Sequence, residues 1–141
     1  FNIDLKDNEV TKDSVDIVSN LNAFHRVCFA SFNSARTKKV LEFNDNAIVS
    51  MGMRDVAKFK FFKIYNKNIK IIQIPLIWKG IKVLTKNLIN KAHEKGLFIH
   101  VWTINDKKTI YKLISAGVNG IITDDPKLLM EIMREKNLVP N

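Results

Sequence analysis

The stretch from Phe98 to Pro126, FIHVWTINDKKTIYKLISAGVNGIITDDP, constrains the fold more than any other, because it reads as strand, helix, strand and the opening of a further helix. Phe98 to Thr103 alternates with a period of two, which sets Phe98, His100 and Trp102 on one face and Ile99, Val101 and Thr103 on the other. Lys107 to Ala116 carries Ile110, Leu113 and Ile114 at helical spacing, and Gly117 stands where a helix stops. Gly120 to Thr123 is a short apolar strand. Asp125 followed by Pro126 is a helix start, with the carboxylate as cap and proline at the first helical position. Two strands joined through a helix run parallel, so the segment is a βαβ unit.

The same rhythm runs through the rest of the chain. Strands are predicted to start near residues 2, 27, 47, 71, 98 and 120, at intervals of 25, 20, 24, 27 and 22, each the length of a strand, a helix and two short loops. FNIDLK alternates apolar Phe1, Ile3 and Leu5 with polar Asn2, Asp4 and Lys6. Helices are expected from Asp13 or Ser14 to about Phe24 (Val15, Val18 and Leu21 inward) and from Ser34 to Phe43 (Val40, Leu41 and Phe43 inward). A short helix follows over Arg54 to Phe62, and another starts at Thr85 and stops at Gly96. Residues around Trp78 and Gly80 read as loop. Six such units make an α/β chain that is either an open doubly wound sheet or part of a (β/α) barrel. No Gly-x-Gly-x-x-Gly follows any strand, which leaves a dinucleotide fold without support. A closed barrel has eight strands, so two would precede Phe1.

With 141 residues, 46% of them hydrophobic, there is material for one core. No apolar run approaches the roughly 20 residues of a membrane helix. The chain opens on Phe1 inside a strand and reads as part of a longer one. The single cysteine, Cys28, lies in an apolar strand and reads as a small buried thiol, compatible with a reducing cytoplasm, the expected compartment. The net charge of +9 raises the prospect of an anionic partner, but only 4 of the 23 basic residues are arginine, the residue that grips phosphate bidentately.

Catalytic groups of parallel barrels sit at the C-terminal ends of strands. Those positions hold Asp4 and Lys6, Ser31 and Phe32, Ser50, Gln73, Trp102 with Asn105, and Asp124. A carboxylate, a lysine, an amide and an aromatic suit an anionic substrate bound with a hard divalent cation such as magnesium or calcium. The competing reading of Asp4 and Lys6 is a structural ion pair, and that of Asp124 a loop anchor. His25, His93 and His100 form no site by spacing and read as structural or solvated. Residues 54–70, RDVAKFKFFKIYNKNIK, interleave lysines with aromatics. They read either as a nucleic-acid or membrane surface or as a short amphipathic helix burying Val56, Phe59 and Phe62.

Five pieces in order give a family resemblance: FNIDLK, VCFASFN, IQIP, AHEKGLFIHVWTIND and GVNGIITDDP. Together they resemble the glycerophosphodiester phosphodiesterase family. The resemblance implies a (β/α)8 TIM-type barrel, here incomplete with about six βα units, residues 1–141 being the C-terminal portion of one barrel domain. It implies hydrolysis of glycerophosphodiesters to an alcohol and glycerol 3-phosphate with a divalent cation, Mg2+ or Ca2+. Asp4 falls on the metal-ligand position, Lys6 on the catalytic lysine near the phosphate and Trp102 on the active-site tryptophan; Phe32 and Gln73, taken from the strand ends, are expected as further substrate-binding positions. The partner implied is a small glycerophosphodiester and not nucleic acid, with transient membrane-surface contact allowed. The family's acid-base histidines belong to a His-Arg-Gly strand and its successors, which are absent here, so the chain alone is expected to show no turnover. Asp4 stands where many members have Glu, and Asp125 where Arg is common. The alternative is a noncatalytic barrel-like module that binds nucleic acid or a lipid surface through residues 54–70.

Overall fold

The computed structural model describes residues 1–139. The chain divides into two compact units, Phe1–Gln73 and the part from Ile74 onward. The first unit contains β1 (Asn2–Asp4), α1 (Val10–Asn20), a 3-10 turn (Phe24–Arg26), β2 (Cys28–Ala30), α2 (Ser34–Phe43), β3 (Ile48–Met51), α3 (Met53–Phe62) and β4 (Ile71–Ile74), the last residue of which opens the second unit. These strands pair in parallel, with Asn2 opposite Cys28, Cys28 opposite Ile48, and Ser50 opposite Ile71.

Partners in a parallel ladder point to the same side of the sheet, so this register sorts the side chains. Phe29, Val49, Met51 and Ile72 share a side and are buried, together with Val15, Val18, Val40, Val56 and Phe59 from the three helices. Each large apolar side chain removed from water in this way contributes about 1.5–3 kcal/mol. The other side carries Asn2, Asp4, Cys28, Ala30, Ile48, Ser50, Ile71 and Gln73, a mixed set with the polar groups concentrated on it.

Local chemistry explains the boundaries that sequence misplaced. Helix α1 begins at Val10, not at Asp13 or Ser14, because the Asp7 side chain accepts the Glu9 N–H at 2.9 Å and the Asp7 carbonyl accepts the Thr11 hydroxyl at 3.3 Å, turning the chain one turn earlier. Leu21 then lies past the helix end, and Asn22 follows with φ 48°, so Leu21 is exposed. Phe43 and Phe62, expected inside, both face outward.

In the second unit lie a hairpin of β5 (Ile77–Trp78) and β6 (Ile81–Lys82), then α4 (Lys86–Glu94), β7 (Phe98–Val101), α5 (Lys107–Ala116), β8 (Gly120–Ile121) and α6 (Pro126–Glu135). β7 and β8 are parallel, with His100 opposite Gly120 and Val101 opposite Ile121. Ile99 and Val101 are fully buried with Ile110 and Ile132, while His100 on the other side is half-buried. Three side-chain caps start the helices: Thr85 accepts the Leu88 N–H at 3.2 Å, Asp106 that of Thr109 at 2.8 Å and Asp125 that of Leu128 at 3.0 Å. The hairpin replaces the expected loop. Its turn residues Lys79 and Gly80 both have positive φ, 49° and 76°, which matches the twist of the two short strands.

Candidate active site

Asp4 ends β1, and Lys6 follows it on the same side, where their side chains meet in an ion pair of 2.5 Å. The pair is largely open to solvent, 40% for Asp4 and 75% for Lys6. An exposed pair of this kind contributes about 0–1 kcal/mol. The sequence alternatives for these two residues therefore meet: they do pair, but the pairing does little for the fold and leaves both charges at the surface.

What holds them is the backbone between them. The Leu5 carbonyl accepts the Ser31 hydroxyl at 2.8 Å and an Arg36 guanidinium N–H at 3.2 Å, while the Arg36 Nε–H donates to Asn8 at 2.9 Å. Leu5 itself is buried and its N–H donates to the Ala30 carbonyl at 2.7 Å. Asp4 and Lys6 thus flank a residue clamped from three directions. Arg36 was not singled out in the sequence; the only signal for it was that arginine is scarce in a lysine-rich chain.

Gln73 is brought together with two residues at strand starts. Its amide donates to Asn2 Oδ1 at 2.8 Å and lies 3.9 Å from Cys28 Sγ. Burial pushes the Cys28 thiol up to about 11, which keeps it protonated and unreactive at neutral pH. Phe32 follows β2 with an exposed ring, and its carbonyl accepts the Met53 N–H at 3.1 Å at the start of α3.

In the second unit Trp102 is half-buried just past β7, its N–H donating to the Ile74 carbonyl at 3.1 Å. The Trp102–Thr103 peptide is cis. Asn105 anchors the next loop: its amide donates to Asp124 Oδ2 at 2.9 Å, and its oxygen accepts the Thr123 hydroxyl at 3.0 Å and the Asp124 N–H at 2.9 Å. Asp124 is the loop anchor that sequence allowed for. His93 is 3.3 Å from the Asn119 amide oxygen, which also accepts the Ile99 N–H at 2.8 Å. His25 lies in the exposed 3-10 turn, and burial lowers the pKa of His100. A cavity of about 480 Å3 between α5, β8 and α6 is lined mainly by Ile114, Val118, Ile121, Leu129 and Met133 and offers no titratable group.

Among the described residues, no three His, Cys, Asp or Glu side chains are grouped so as to hold a metal ion. No helix of the described residues is long and apolar enough to cross a membrane.

The sequence model of the glycerophosphoryl diester phosphodiesterase family matches residues 2–128. The chain belongs to that family. A protein of Mycobacterium tuberculosis named "Probable glycerophosphodiester phosphodiesterase 2" is 25% identical over 142 residues, covering 94% of this chain and 54% of the relative. Among solved structures, a glycerophosphodiester phosphodiesterase from Parabacteroides distasonis superposes with a TM-score of 0.76 at 21% identity, covering 97% of this chain and 57% of that one. An Oleispira antarctica phosphodiesterase, solved in complex with the product sn-glycerol-3-phosphate, gives a TM-score of 0.68 at 12% identity over 94% of this chain and 54% of its own. The fold is therefore that of an incomplete (β/α)8 barrel, which the family resemblance implied and which the recurring βα units had left open beside a doubly wound sheet. The chain spans about half the length of the relatives it matches.

Proposed function

We propose that the protein to which this chain belongs hydrolyses glycerophosphodiesters to an alcohol and glycerol 3-phosphate, and that the chain is the C-terminal portion of its single barrel domain. Family membership supports the reaction class. The observation that carries the residue assignment is the solvent-open Asp4–Lys6 pair on the polar side of β1, fixed by the clamp on Leu5.

In this reading Asp4 is an oxygen ligand to a divalent cation, Mg2+ or Ca2+, whose hard charge, when bound, stabilises negative charge on the phosphoryl oxygens. Lys6 is the second positive group for those oxygens: its ammonium turns from Asp4 to the phosphodiester and is worth most as charge builds in the transition state. Trp102 lines the glycerol end, and Phe32 and Gln73 complete the substrate-binding set. Gln73 would have to give up its bond to Asn2, at the start of β1, to reach that substrate. None of the three histidines is assigned to proton transfer, because none matches the acid-base histidines that the family resemblance implies in a His-Arg-Gly strand and its successors. The substrate is a small molecule, in keeping with a site made of single side chains at strand ends.

The test is release of glycerol 3-phosphate by the full-length protein. Release is expected to stop on chelation of divalent metal and return with Mg2+ or Ca2+. Asp4→Ala and Lys6→Ala are each expected to lower kcat by at least about a hundredfold. Normal rates in both variants would overturn the assignment.

A further inference from the structure

The end of α3 presents an unusual surface. Val56 and Phe59, three apart, face inward and are buried, and Tyr65 returns to pack edge-on against the Phe59 ring at 5.2 Å. Between these two anchors the chain turns at Lys63, the helix C-cap in a left-handed conformation. Phe61, Phe62 and Ile64 are consequently held outward, 68%, 71% and 63% exposed. The two phenylalanine rings lie 6.5 Å apart and the Lys60 ammonium sits 5.8 Å from the centre of the Phe61 ring. Three large apolar side chains exposed within four residues of an anchored turn need an explanation that scattered surface hydrophobics do not.

Charge supplies it. Residues 56–93 contain nine lysines and no Asp or Glu, so the chain's whole excess of +9 lies in that stretch. Lys58, Lys63 and Lys67, close to the apolar trio in sequence, are exposed. We infer that the end of α3 docks on an anionic lipid bilayer, with Phe61, Phe62 and Ile64 entering the headgroup boundary and the lysines pairing with lipid phosphates and carboxylates. This combination of inserted apolar side chains and a basic surround is that of interfacial binding. A nucleic-acid surface fits less well. The stretch 56–93 has no arginine, and Ile64 offers a base nothing to stack on.

The surface shares no residue with the proposed catalytic set, and its test reads binding, not activity. Full-length protein is sedimented with vesicles of phosphatidylcholine alone and of phosphatidylcholine with one third phosphatidylserine. Partition is expected to be at least tenfold stronger onto the anionic vesicles and to weaken with salt. The triple variant Phe61→Ser, Phe62→Ser, Ile64→Ser is expected to lose at least tenfold, and Lys58→Gln with Lys63→Gln to lose the preference for the anionic vesicles. Thermal melting of each variant confirms folding, and Asp4→Ala is expected to bind as the parent does. Absence of vesicle binding by the folded parent, undiminished binding by the apolar triple variant, or binding to a single-stranded oligonucleotide in place of vesicles would each overturn the inference.

Discussion

The polar ends of β1 and of β7–β8 are built on opposite terms. After β7, Asn105 uses both ends of its amide on Thr123 and Asp124, so three polar groups satisfy one another and tie two loops together. After β1, Asp4 and Lys6 have each other and solvent, and the hydrogen bonds that order them go to the backbone of Leu5 instead. The difference teaches where to look for chemistry. Side chains that complete a network hold a loop, whereas side chains aimed by someone else's network remain available to a ligand.

That contrast predicts where substitutions cost stability. The largest effect is expected at Gly120, where an added Cβ would lie 2.7 Å from His100 Cδ2 across the β7–β8 pair. Gly120→Ala should destabilise by about 1–3 kcal/mol, and much of the loss should disappear in the background of His100→Ala. Denaturant melts of the double-mutant cycle measure this; equal costs in both backgrounds would show that the contact is not the cause.

Asn105→Ala should come next, at about 1–2 kcal/mol, because it removes a donor and an acceptor serving three bonds at a partly solvated site. Asp4→Ala, its counterpart at the end of β1, should shift stability by no more than about 0.5 kcal/mol. A larger loss at Asp4 than at Asn105 would erase the distinction between the two rims.

The smallest effect expected is a pH dependence from His100. Burial holds its pKa below the ordinary 6.5, so the unfolded chain binds more protons than the folded one as the pH drops through that range. Its contribution is complete above pH 6.5 and is lost as the pH falls through the depressed folded value. His100→Gln should flatten this part of the stability profile, and an unchanged slope would assign it to another group.

What was legible in the sequence follows the reach of the interactions. Helix α2, strand β4, helix α5 and the Asp125–Pro126 start lie where predicted, because caps, the αL glycine at Gly117 and period-two runs act within a few residues. The hairpin at Ile77–Lys82 was missed because its turn is Lys-Gly and not the usual Asn-Gly or Asp-Gly, leaving only Gly80 as a signal. Of the candidate site, Asp4, Lys6, Phe32, Gln73 and Trp102 could be named from strand ends and family motifs. Arg36 and Asn2 could not, since their partners Leu5 and Gln73 are 31 and 71 residues away.

The sequence by itself determined the βα rhythm, the family and the charge, since each is written in residue order. Tertiary structure alone decided which aromatics face water. Phe59 and Phe62 are three apart on one helix and look equivalent in the pattern, yet Phe59 meets Tyr65 and the core while Phe62 meets solvent. Periodicity assigns a side chain a direction; only the packing of distant elements determines whether anything lies there.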